Sequence, residues 1–213
     1  MRPLTALVLI LALSACELVN DVSQPPAASA SPPITFAADW DGRTEGAQWT
    51  AFTRQALATE GKALLAIEPT DVDAYCPAYA KLSGEEREAF WLGLLSAMAR
   101  FESGFRPATS YEESFNDSNG NPVISRGLLQ LSHESANGYR CGIEDAERLH
   151  DPRTNLTCGV RIMNRLVSRD STIGTQVNRR WRGGAAYWSV LRTTSGSNSK
   201  IRAYTTGLAI CQG

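Results

Sequence analysis

Between Ser83 and Ser103 the chain has little choice but to form a helix. Ser83 followed three residues later by Glu86 makes a capping box, and Glu85 and Glu86 both suit the positive end of a helix dipole. Gly104 supplies the stop. At about 100° per residue, Trp91, Leu94, Leu95, Met98 and Glu102 share one stripe, so a carboxylate stands at the last turn of the most apolar face in the chain. Desolvation and the negative end of the helix dipole would both raise its pKa. A carboxyl that holds its proton near neutral pH suits glycosidic cleavage, because the leaving oxygen must be protonated as the bond breaks. The wheel alone equally allows Glu102 to be a residue that merely ends the helix and turns to solvent.

The rest of the chain also reads as helical. Gln48 to Ala66 predicts a helix interrupted by Gly61 and closed by Pro69. Asp151-Pro152 is an N-cap with proline at the first helical position, and Leu156, Val160, Met163 and Val167 continue at helical spacing. Ala185 to Arg192 reads as a further helix. No run of alternating strand residues stands out, so the expected fold is mainly α. From Thr109 to Ser125 the chain carries Tyr111, Glu112, Glu113, Phe115, Asn116 and Asp117, then the turn signal Asn119-Gly120-Asn121-Pro122. Three carboxylates there fit either a solvated insertion or a piece of a site, and the solvated insertion is the favoured reading.

The beginning of the chain concerns export. Met1 and Arg2 precede an apolar run from Leu4 to Leu13, interrupted only by Thr5 and too short for the roughly 20 residues a bilayer span needs. This is a secretory signal pattern, expected over residues 1–15. Leu13-Ser14-Ala15-Cys16 resembles the bacterial lipoprotein box, in which the cysteine is lipidated; an ordinary cleavable signal ending at Ala15 is the alternative. Lipidation at Cys16 would anchor the protein in a membrane. Glu17, in place of an inner-membrane-retaining aspartate, points to the outer membrane and the periplasmic face of the envelope. Residues 16–38, rich in Pro, Ala and Ser, read as a flexible tether, leaving 39–213 for a single folded domain.

Removing residues 1–15 takes away only Arg2 and moves the formal charge from -1 to -2, which leaves no electrostatic footprint for nucleic acid. The hydrophobic fraction of 43% is enough for a proper core. Besides Cys16 there are four cysteines, an even count that suits two disulfides in an oxidising compartment. Of three connectivities, Cys141–Cys158 as a local staple with Cys76–Cys211 tying the domain's start to its end is favoured. No Cys-x-x-Cys occurs and only His133 and His150 could assist, so neither a metal nor a cofactor is expected.

Three motifs then stand in order: Glu102-Ser103-Gly104-Phe105, Gly127-Leu128-Leu129-Gln130-Leu131-Ser132, and Asp151-Pro152-Arg153-Thr154-Asn155-Leu156 with Gly159. They resemble the Glu-Ser-x-Phe, Gly-Leu-x-Gln and Asp-Pro-x-x-Asn motifs of the soluble lytic transglycosylases and goose-type lysozymes, over roughly residues 85 to 205. The resemblance implies a lysozyme-like fold with a groove for a peptidoglycan strand, Glu102 as general acid and then base, Ser103 supporting the wall of the site and Gln130 lining it near the scissile bond. A helix-start residue bonding the backbone is the plainer role for Gln130, and Asp151 and Asn155 read as structural. The family's Ala-Tyr-Asn-Ala-Gly has no exact counterpart. Either Trp181-Arg182 replaces its tyrosine and asparagine, or Ala186-Tyr187-Trp188 aligns directly, so Trp181 and Tyr187 are both expected substrate contacts, with core packing as the alternative. Tyr204 resembles a late tyrosine of the family near the catalytic glutamate.

By resemblance the expected reaction cuts the β-1,4 bond between N-acetylmuramic acid and N-acetylglucosamine without water, closing a 1,6-anhydro ring with the help of the substrate's acetamido group. A lysozyme with a second carboxylate in 112–117 (Glu112, Glu113 or Asp117) is the runner-up. A wall-binding lipoprotein that does not cut is the reading from another class.

Overall fold

The computed structural model describes residues 38–212. The expected signal peptide, Cys16 and all of the expected tether except Ala38 lie outside the described residues. The helices are α1 (Gly46–Thr59), α2 (Lys62–Ala66), α3 (Gly84–Glu102), α4 (His133–Gly138), α5 (Pro152–Asp170) and α6 (Gly196–Thr206). Short strands β1 (Ser110–Asn116), β2 (Pro122–Arg126) and β3 (Leu131–Ser132) form an antiparallel sheet in that order, and β4 (Gln176–Val177) pairs with β5 (Arg180–Trp181). The fold is mainly α. Among the described residues no helix is long and apolar enough to cross a membrane.

Helix α3 is the centre of the domain. Its capping box forms in full: the Ser83 hydroxyl accepts from the Glu86 N–H and the Glu86 carboxylate accepts from the Ser83 N–H. From Ala89 to Ala99 every residue is buried, so α3 is enclosed on all sides rather than resting one stripe on a core. Helices α1, α2 and α6 and the 3-10 turn Ser189–Leu191 surround it. The polar atoms this encloses find partners, as buried ones must. The Trp91 indole N–H donates to the Leu64 carbonyl at 2.9 Å and also approaches the Tyr79 hydroxyl at 3.0 Å. Helix α5 begins as its sequence dictates, with the Asp151 carboxylate accepting from the Thr154 N–H at 2.9 Å and Pro152 in the first turn. It packs on α1 and α2. Two disulfides close the domain, Cys76–Cys211 and Cys141–Cys158, the pairs favoured above.

Two expectations need correction. Ala185 to Arg192 is not an α-helix but parts of two 3-10 turns, Gly183–Ala186 and Ser189–Leu191. Trp188 between them is extended, held there by its indole N–H donating to the Leu129 carbonyl at 2.9 Å. Strands exist, and the segment from Thr109 to Ser125 is largely the β1–β2 hairpin. Its tip is an Asx turn in which Asp117 accepts from the N–H groups of Asn119 and Asn121. No element is expected from the sequence in the stretch that forms α6, whose polar start, Gly196-Ser197-Asn198-Ser199-Lys200, carries no apolar stripe.

Candidate active site

Glu102 is the last residue of α3, and its carboxyl opens on a cavity of ≈ 370 Å³. Although the residue keeps some solvent contact at that opening, the surrounding protein desolvates the carboxyl and raises its pKa to about 8, with the nearby Glu113 carboxylate adding to the rise. No cation contributes to the shift. An acid that holds its proton to about pH 8 has what a general acid needs at neutral pH.

The hairpin delivers the second carboxylate. Ser110, Tyr111 and Glu112 pair in step with Arg126, Ser125 and Ile124, and then Asn116 pairs with Pro122, so three residues of β1 stand opposite Val123 alone. Such a bulge re-aims side chains. Here Glu113 and Phe115 line the cavity together with Val123 and Ser125 of β2. The Ser125 hydroxyl donates to the Glu113 carboxylate at 2.6 Å and fixes its orientation. The segment is thus both solvated and part of the wall: Phe115 stays exposed at the cavity rim, while Glu113 is half-buried against Ser125. Glu112 and Asp117 do not line the cavity, and Asp117 is held below the usual carboxylate range by the N–H groups of its own turn.

Gln130 forms another wall. Its backbone sits in the left-handed region at φ 46°, its side-chain NH2 donates to the Gly127 carbonyl at 2.8 Å and the Thr109 carbonyl at 3.1 Å, and its Oε1 is buried without a partner. The turn that carries it is clamped from α5 by Asn155, which is fully buried. The Leu129 N–H donates to Asn155 Oδ1, while Asn155 Nδ2 donates to the Arg126 and Leu149 carbonyls, each at 2.9 Å. Gly127, at φ +78°, must be glycine because a Cβ would stand 2.1 Å from the Leu149 carbonyl oxygen. At Gly159 a Cβ would stand 2.3 Å from a Leu129 methyl carbon, so the Leu129 side chain packs directly on the α5 backbone. The second and third motifs are thus two halves of one clamp. Asn155→Ala should cost about 3 kcal/mol or more by orphaning a buried donor and two acceptors, read as a lower denaturant midpoint with unchanged m. An unchanged midpoint would show that the clamp carries no weight.

Tyr187 also lines the cavity, and its hydroxyl accepts from the Ser132 N–H at 3.2 Å. The other expected substrate contacts lie elsewhere. Ser103 is buried with its hydroxyl donating to the Ala99 carbonyl, so it stands behind the site without lining it. Trp181, in the β4–β5 hairpin, packs partly buried against the core. Tyr204 lines a separate depression with Asp39, Ala97, Arg100, Phe101 and Lys200, because α6 meets α3 on a side where Ser96 bonds its hydroxyl. A larger cavity of ≈ 560 Å³ beside the Cys141–Cys158 disulfide contains none of Glu102, Gln130 or Tyr187. Missing from the sequence reading were Phe115 and Arg192, both on the cavity wall. For Phe115 the signal was its position two residues beyond Glu113, on the same face of an extended strand. Among the described residues no cluster of three His, Cys, Asp or Glu could hold a metal.

A mainly α domain whose central helix ends in an enclosed glutamic acid, with a hairpin over the cavity, is a lysozyme-like fold. The family model of the transglycosylase SLT domain matches residues 82–204, and the chain belongs to that family. Its members are peptidoglycan lytic transglycosylases that bind glycan strands, which supports this class of activity here in general terms. The chain is similar to the solved structure of Bd0314 DslA, wild-type form 2, at 47% identity and a TM-score of 0.80, covering 83% of this chain and 98% of that one. Two glutamate-to-glutamine mutants of Bd0314 DslA match equally well in TM-score, at 47% and 46% identity and the same coverage. Their two substituted glutamates lie eleven residues apart. No curated protein matches the chain.

Proposed function

We propose that the protein cleaves the β-1,4 bond between N-acetylmuramic acid and N-acetylglucosamine in peptidoglycan, with Glu102 as the acid and Glu113 as its partner carboxylate. The observation that carries this reading is the sharing of one cavity by the two side chains. The eleven-residue spacing of the substituted glutamates in the related protein, which is also the spacing of Glu102 and Glu113, supports it. Glu102, still protonated at neutral pH, gives its proton to the leaving sugar's oxygen as the bond breaks. Glu113, held by Ser125, accepts a proton from a water that attacks the anomeric carbon. Gln130 and Tyr187 are among the side chains of the cavity wall that the bound sugars meet. Membership of the transglycosylase family favours a second reading, in which the substrate's own 6-hydroxyl replaces water and Glu102 takes its proton, giving 1,6-anhydromuramyl ends. Mass analysis of the fragments separates these, since anhydro products are one water lighter.

The Leu13-Ser14-Ala15-Cys16 box supports a further part of the proposal, an acylated Cys16 that holds the domain at the periplasmic face of an outer membrane. Expressed in a bacterium, the protein should take up labelled palmitate, and Cys16→Ser should lose the label. Equal labelling of both forms removes the anchor from the proposal.

A further inference from the structure

Among the described residues, Arg192 is the only cationic side chain on the wall of the cavity that holds Glu102 and Glu113, and nothing in the cleavage step uses it. Its Nε donates to the Ala185 carbonyl at 3.3 Å, which steadies the side chain and leaves the two terminal nitrogens of the guanidinium uncommitted. Neither carboxylate of the cavity, nor any other acid among the described residues, pairs with it. Nor does its charge act on Glu102, whose shift arises only from burial and from Glu113. A guanidinium close to Glu102 would pull the proton off the acid. Arg192 therefore stands apart from the proton transfer, with a planar fork of donors open to a ligand.

The strand proposed as substrate alternates two sugars that differ only at O3, where the muramyl residue carries a lactyl ether ending in a carboxyl group. That carboxyl is free on a peptide-free strand and is an amide carbonyl where a stem peptide is attached. Either form accepts from a guanidinium, and the free carboxylate does so more strongly because the bond is charge-assisted. We infer that Arg192 binds the lactyl carboxyl group of the muramyl residue and so selects muramyl-containing strands over plain N-acetylglucosamine polymers. This rests on the proposed substrate but not on Glu102 being the acid.

Binding without turnover tests it. In the Glu102→Gln protein, a peptide-free tetrasaccharide of alternating N-acetylglucosamine and N-acetylmuramic acid should bind about ten- to a hundredfold more tightly than the all-N-acetylglucosamine tetrasaccharide by calorimetry. Adding Arg192→Gln should bring that ratio close to one while leaving the affinity for the plain tetrasaccharide in place. Arg192→Lys, with charge but no fork, should keep part of the preference. If Arg192→Gln fails to fold, the methyl ester of the muramyl ligand makes the same test on the intact arginine, because blocking the carboxylate should remove most of the preference. No preference for the muramyl ligand, a preference that survives Arg192→Gln or the ester, or equal weakening of both ligands overturns the inference. Cleavage that persists in Glu102→Gln would instead remove the acid assignment and leave the binding ratio to stand on its own.

Discussion

Glu102→Gln should reduce peptidoglycan cleavage by about a hundredfold or more, the usual contribution of a positioned general acid–base group, while binding of the glycan survives. Glutamine keeps the shape and hydrogen-bonding atoms of the side chain and removes only the proton it can give. The same substitution has a second consequence, opposite in sign. The Glu102 pKa of about 8 in the folded protein stands well above the ordinary 4.5, because burial penalises the charged form and Glu113 adds a like charge. Between those values the unfolded chain releases a proton that the folded protein keeps. Stability is therefore fullest below the unfolded value, falls as pH rises through the window, and levels off above about 8. Glu102→Gln removes this titration, and at pH 8 should gain on the order of a few kcal/mol over the unaltered protein, with no gain at pH 4. Activity should decline as pH rises through about 8, where the acid form of Glu102 is lost. Turnover near the original rate in Glu102→Gln would defeat the acid assignment. A melting-temperature difference that is the same at pH 4 and pH 8 would show that the carboxyl is not desolvated as described.

What could be read from the sequence was what local rules decide. The capping box at Ser83, the stop after Glu102 and the Asp151-Pro152 start are short-range devices that tertiary packing did not disturb. The helix wheel placed Glu102 on an apolar stripe but could not foresee that α3 is buried on every side, because enclosure depends on α1, α2 and α6 arriving around it. Strand β1 escaped notice for two physical reasons. Only Glu113 of its seven residues is even partly buried, so no alternation of apolar and polar residues marks it, and the bulge interrupts what register there is. Trp181 and Tyr187 stood as equal claimants by sequence. They are separated by the 3-10 turn Gly183–Ala186, which leaves Trp181 in the β4–β5 hairpin and brings the Tyr187 hydroxyl to the Ser132 N–H of a different segment. The clamp at Asn155 shows the converse, since a residue read only as structural holds the turn that presents Gln130.

Glu113→Gln decides how the cleavage is completed. If Glu113 activates water, its amide cannot take the proton, and turnover should fall by about a hundredfold or more, in company with Glu102→Gln. The products of the unaltered protein should then carry reducing ends. Glu112→Gln and Asp117→Asn are the internal controls, because both side chains belong to the same hairpin yet stand off the cavity, and neither should cost more than a fewfold in turnover. Ser125→Ala should fall between, since it removes the 2.6 Å hydrogen bond that orients Glu113 and keeps the carboxylate itself. That graded order would not follow from a hairpin that acts only as a lid, where the effect of each change would track the loss of folding instead. The alternative outcome is equally definite. Anhydromuramyl ends throughout, with Glu113→Gln no more harmful than Glu112→Gln, would mean that the substrate's own hydroxyl closes the ring. Glu113 would then act through its charge alone, raising the pKa of Glu102. In that case Glu113→Gln should still shift the alkaline limb of the pH–rate profile to lower pH, because removing a neighbouring negative charge eases ionisation of the acid.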